Sequence, residues 1–184
     1  MDSDELIDIM FDKIVEDTER EFESSILGPC NNCISVSLFA ATILELNEIE
    51  AKPVECCASL LTHPSANIGH RAGSPNITDY GGWHGHVVIL LPKAREILDL
   101  SLCFQEGSIG VELRKLSQNN KRYYKADLPN VLEVDQTISL KVGSGNIRWN
   151  LYKENSGWKK LNWDLEQIKN FAKEENAKII QNHT

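Results

Sequence analysis

Twelve consecutive residues, Cys33 to Leu44, carry no charged side chain. A helix lying on a protein surface shows charges on one face every turn or so, whereas one that is apolar all round must be buried. The stretch falls well short of the roughly 20 residues that cross a bilayer. It therefore reads as the central helix of a water-soluble core. The periodicity predicts a helix from about Cys33 to about Asn47, with Ile34, Leu38, Ala41 and Leu44 or Ile43 on the buried stripe and Asn31 or Asn32 as N-cap.

The remaining sequence narrows the class. A chain of 184 residues fits a single domain, and 41% apolar against 25% charged residues supplies a core rather than a disordered polymer. The longest unbroken apolar run, Val87 to Leu91, cannot span a membrane, so no membrane partner is expected. Met1-Asp2-Ser3-Asp4-Glu5 is acidic where a targeting peptide is basic, which predicts a cytoplasmic protein. The net charge of −8 disfavours nucleic acid as a partner, because phosphates need cations. Charge is segregated: residues 1–110 hold 6 basic and 18 acidic side chains, a net of −12, and residues 111–184 hold 13 and 9, a net of +4. Attraction between the two parts within one fold is the expected outcome, since no Lys/Arg block is dense enough to mark an acidic partner.

Along the chain, Leu6, Met10 and Ile14, flanked by Ile7 and Phe11, predict an amphipathic helix over 3–23 capped by Ser3. Gly28-Pro29 breaks the chain. Ala51 to Leu61 reads as a strand, and the Gly/Pro/Ser/Asn-rich residues 63–82 as a long, mobile loop bordering whatever site follows. His86–Leu91 and Arg95–Ser101 form a predicted hairpin around Pro92-Lys93-Ala94. Residues 106–135 give no assignable pattern. Thr137–Val142 and Asn146–Tyr152 flank Gly143-Ser144-Gly145 as a second hairpin, and Asp164 to about Gln181 reads as a closing helix. Helices, then strands, then a last helix imply an α+β fold, an antiparallel sheet packed on the cysteine-bearing helix.

Three features of this layout carry chemistry. Cys33 opens the central helix, where the helix dipole favours a thiolate. His86 enters one strand of the first hairpin and Asp99 lies in the other. Neighbouring strands run about 5 Å apart, so a carboxylate on one can hold an imidazole on the other. Thiolate, general base and orienting acid thus follow in the order Cys, His, Asp. His84 lies two residues before His86, on the same face if one strand holds both, and Trp83 either packs on the site wall or covers a substrate chain.

A cysteine at a helix start, an apolar helix ending in Asn47-Glu48-Ile49-Glu50-Ala51 and then a strand resembles the opening of transglutaminase-like members of the papain-like superfamily. Gly85-His86-Val87-Val88 and Ile97-Leu98-Asp99 are similar to the histidine and aspartate strands of that group. The resemblance covers roughly residues 28–105, a catalytic core, and leaves 106–184 as a sheet extension with a C-terminal helix. It implies Cys33 as nucleophile, His86 as base and Asp99 as its orienter, acting on a peptide, amide or ester, with a protein among the candidate substrates. It requires no metal or organic cofactor. Papain-type peptidases place an oxyanion glutamine six residues before the cysteine, and Leu27 stands there in this chain. Asn31 and Asn32 are then the candidate oxyanion donors, with Trp83 and His84 as candidate substrate contacts.

Other readings use the same residues. Five cysteines, an odd number, predict reduced thiols rather than a disulfide framework. Cys30 and Cys33 form a C-x-x-C at a helix start, yet no strand directly precedes it as a dithiol redox site needs. Cys30, Cys33, Cys56 and Cys57 with His63, His84 or His86 are candidate zinc ligands, although adjacent strand residues such as Cys56 and Cys57 point to opposite faces. A papain-like module that binds without chemistry is the remaining alternative.

Overall fold

The computed structural model describes residues 1–19, 25–27, 33–62, 69–72, 74–77, 83–104, 108–116, 123–129, 137–152 and 164–183; for 69–72, 74–77, 83–84, 108–110 and 114 it describes the backbone. The uncharged stretch forms helix α2, Cys33–Leu46, with eleven of its residues buried. Two helices cover it. Helix α1, Ser3–Thr18, buries Leu6, Ile7, Met10, Phe11 and Ile14. Helix α4, Leu165–His183, buries Ile168, Phe171, Ala172 and Ile179. Phe39 of α2 stacks on Phe171 with ring centroids 5.3 Å apart, and the Asn47 amide donates to Asn176 Oδ1 at 2.7 Å.

Against this helical layer lies an antiparallel sheet. Its strands are β1 (Lys52–Leu61), β2 (Gly69–Ala72), β5 (His86–Leu91), β6 (Glu96–Asp99), β7 (Tyr124–Asp127), β8 (Thr137–Val142) and β9 (Gly145–Leu151). The order is β7-β6-β5-β1-β9-β8, with β2 continuing the β5 side along the second half of β1. A separate pair joins β3 (Ser74–Ile77) to β4 (Trp83–His84). Strands β7 and β8, at opposite ends of the order, come back into contact, so the sheet curls nearly closed.

Alternation along the strands splits the core in two. Ile89, Leu91, Leu98 and Leu100 face α1, α2 and α4. Cys56, Ala58, Leu60, Val88, Ile97, Ile147 and Trp149 fill the inside of the curl, joined by Leu113 of helix α3 (Ser108–Leu116). The α+β class and both predicted hairpins are present.

Several boundaries differ from the sequence expectation. Asp2, not Ser3, caps α1, accepting from the Glu5 amide at 2.9 Å. The helix stops at Thr18 rather than residue 23, and the buried Asp17 instead accepts from Ser25 Oγ and the Leu27 amide, each at 2.8 Å. Part of the expected 63–82 loop is strand. Its backbone finds partners on β1 and β4, which stands in for the apolar anchors it lacks. Residues 63–68, 73 and 78–82 lie outside the described residues, as does Gly28-Pro29. The unassigned 106–135 region yields α3 and β7, a nine-residue helix and a four-residue strand too short to imprint a clear period.

The charge segregation is used inside the fold. Lys125, from the basic part, pairs with Asp4 at 2.8 Å and Glu96 at 3.0 Å, and Tyr123 donates to Asp8 at 2.9 Å. Among the described residues no helix is long and apolar enough to cross a membrane.

The β8–β9 turn gives a direct test of the curl. Gly143 has φ +56°, and a Cβ there would stand 2.7 Å from the Leu116 carbonyl oxygen at the end of α3. Gly143→Ala is expected to cost about 1–3 kcal/mol, from the left-handed backbone and the clash together. A urea melt with an unchanged midpoint would show that turn and helix end relax freely.

Candidate active site

Parity places the acid and the base. His86 shares its side of β5 with Val88, and Asp99 shares its side of β6 with Ile97, so both point into the curl. The β5–β6 pairing of Ile89 with Leu98 makes Asp99 a diagonal neighbour of His86. His86 Nε2 lies 2.8 Å from Asp99 Oδ2, with side chains 1% and 0% exposed.

Helix α2 brings the thiol to the same end of the sheet. The Ser37 hydroxyl donates to the Val87 carbonyl at 3.0 Å, fixing the helix against β5 one turn after Cys33. Cys33 and Ile34 pack on Val87, and Leu165 at the start of α4 closes over them. Cys33 itself is 6% exposed, and it lies near enough to His86 to help hold charge on the imidazole. Nε2 is taken by Asp99, so Nδ1 is the ring nitrogen that the carboxylate does not hold.

The electrostatics follow from this packing. Burial works to discharge His86, but the Asp99 charge, its hydrogen bond and the contact with Cys33 outweigh it and hold the imidazole up at about 10. Burial likewise opposes charge on Asp99. His86, the Trp149 indole and the Leu102 amide overcome it and hold the carboxyl below its usual value. Cys56, fully buried, behaves oppositely. Loss of water first, then the Asp99 and Cys33 charges, push its thiol well up, so it is an inert neighbour.

The three residues singled out from sequence thus meet in one place. The accessory candidates fare differently. Asn31 and Asn32 lie outside the described residues, as do Cys30 and His63. Leu27 is a fully buried core residue. His84 and His86 do not share a strand: Gly85 separates β4 from β5, and β4 belongs to the small β3–β4 sheet, so the argument that both histidines share one face does not hold. Trp83 pairs at the backbone level with Ile77 in that small sheet, which leads straight into His86. Among the described residues no group of three His, Cys, Asp or Glu side chains is arranged to hold a metal ion.

Sequence reasoning missed Trp149. This fully buried side chain on β9 donates its indole N–H to Asp99 Oδ2 at 2.8 Å. A tryptophan in a predicted strand signals a buried N–H that needs an acceptor. Which acceptor it finds depends on the curl, because β9 and β6 are separated in the sheet by β1 and β5. The site therefore extends beyond residues 28–105. In comparison with known proteins, no family model, no curated protein and no solved structure matches this chain, so its site is read from geometry alone.

Proposed function

We propose that this chain is a thiol-dependent acyl hydrolase or acyltransferase of papain-like, transglutaminase-like type. The observation that carries the reading is the buried 2.8 Å bond from His86 Nε2 to Asp99, which leaves the other nitrogen of a ring near Cys33, at the head of α2, unheld by the carboxylate. A core histidine needing only a hydrogen bond has no use for a carboxylate behind it and a cysteine in front.

In this reading Cys33 acts as the thiolate of a thiolate–imidazolium pair. Sγ attacks the carbonyl carbon of an amide or ester, and the carbonyl oxygen takes up the negative charge. The backbone N–H of Cys33, at the head of α2 with no helical turn before it, is the oxyanion donor in this reading. As the C–N or C–O bond breaks, the His86 Nδ1 proton passes to the leaving amine or alcohol, giving a thioester on Cys33. Neutral His86 then takes a proton from water or an amine as it attacks the thioester, and the thiolate leaves. Water yields a hydrolase and an amine yields a transferase. Asp99 stays ionised throughout and holds the ring in place.

Iodoacetamide labelling at neutral pH tests this. Cys33 is expected to react fastest of the cysteines, with Cys56 left unmodified in the folded protein. His86→Ala is expected to slow Cys33 by about tenfold or more. Equal labelling of all cysteines, or an unchanged Cys33 rate in the mutant, would hand the site to the binding-module reading. About one zinc per chain in the purified protein would displace both.

A further inference from the structure

We propose that Trp149 is a positioning residue of this site: its indole N–H, carried by β9, completes the set of donors around the Asp99 carboxylate and fixes the direction from which that carboxylate grips His86. The proposal rests on the catalytic reading above and adds to it a residue from outside the hairpin that holds the acid and the base.

The argument starts from the carboxylate's capacity. An ionised carboxylate offers about four acceptor sites. Asp99 Oδ1 takes the Leu102 amide at 3.0 Å, the Ser101 amide at 3.2 Å and the Ser101 hydroxyl at 3.4 Å. These donors all belong to the turn that follows β6, so they hold one oxygen and leave the other free to swing about it. Oδ2 takes His86 Nε2 and Trp149 Nε1, each at 2.8 Å. Of these two, only the tryptophan is independent of the reacting ring. His86 must gain and lose a proton, and its bond to Oδ2 changes strength as it does so. Trp149 keeps the same donor in every protonation state, because an indole N–H does not titrate in this range.

The indole is also rigidly held. Trp149 pairs with Ala58 of β1 and Ile138 of β8, and its ring lies among Leu60, Val88, Ile97 and Ile147 inside the curl. It thus ties the geometry of the triad to the far side of the sheet. Ring bulk alone would serve the packing, and the N–H is the part that acts on Asp99.

The test separates the N–H from the bulk. Replacing Trp149 by β-(3-benzothienyl)alanine puts sulfur where the N–H was and keeps the shape, and Trp149→Phe serves as a second variant. Two readouts are followed: the titration of the Asp99 carboxyl carbon by NMR, and the pH profile of Cys33 alkylation by iodoacetamide. In both variants the Asp99 titration is expected to move up, since a donor that favours the charged form is gone. Cys33 alkylation at neutral pH is expected to fall about 3- to 10-fold, the size expected for one lost charge-assisted donor.

An isostere with unchanged titration and unchanged alkylation would overturn the proposal and make Trp149 a packing residue. Loss of the fold in the isostere would overturn it too, by assigning the N–H to stability. Failure of the catalytic reading is seen separately. In that case His86→Ala leaves the Cys33 rate untouched, while the Asp99 titration still reports whether Trp149 holds the carboxylate.

Discussion

Asp99→Asn is expected to lower turnover of an activated ester or amide by about 10²–10⁴-fold while the chain still folds. The donors around the carboxylate explain the size. Every group facing Asp99 donates: His86 Nε2 and Trp149 on Oδ2, the Ser101 and Leu102 amides on Oδ1. An asparagine must turn its NH₂ toward one of these two sets. Facing His86, it forces the ring into the wrong tautomer, so that Nδ1 carries the only proton and Nε2 becomes an acceptor. Facing the turn, it leaves buried N–H groups unpaired, at about 1–3 kcal/mol. Steady-state kinetics with an activated ester, beside circular dichroism of the variant, reads both effects. Full activity in Asp99→Asn would mean that a different group orients His86.

The second large effect concerns stability against pH. His86 is held up from 6.5 to about 10, so its stabilisation is fully present below about pH 6.5 and is lost as pH rises through about 10. Asp99 is shifted down, so its contribution is present above about pH 4 and is lost as pH falls through the lowered value. Stability is therefore expected to be flat between about pH 4 and 6.5, then to decline by on the order of 3 kcal/mol by about pH 10. Tyr152, pushed up by burial and by Cys57, adds its own loss only above about pH 10. Urea melts at pH 5, 7 and 10 measure the decline. In Asp99→Asn the alkaline limb should flatten, because the imidazolium has lost its counter-charge. An alkaline limb of equal depth in the variant would place its origin outside the His86–Asp99 pair.

Much of this molecule is written in local sequence. The uncharged run from Cys33 required a buried helix, because no face of it can be given to water, and α2 is buried along most of its length. The apolar runs Val87–Leu91 and Ile97–Leu100, joined at Pro92-Lys93-Ala94, predicted a hairpin. A carboxylate on one strand was therefore readable as within reach of His86 on the other, while the register that makes them diagonal neighbours came from the structure. That the acidic and basic parts attract one another was legible from charge, though that Lys125 carries the pairing with Asp4 and Glu96 was not. These inferences work because each depends on residues within one or two elements.

Tertiary structure decided the rest. The backbone pairing of residues 69–72 and 74–77 was invisible, since their partners are β1 and β4 rather than their own side chains. The separation of His84 from His86 follows from a change of sheet at Gly85, which no period reveals. Trp149 reaches Asp99 only because the sheet curls until β9 faces β6 across its interior, a contact between residues fifty apart in sequence. Local patterning supplies the chemical groups and the face each one occupies. Long-range strand order, set by how the whole sheet closes over its core, determines which of those faces meet, and therefore whether a carboxylate is merely buried or fully held.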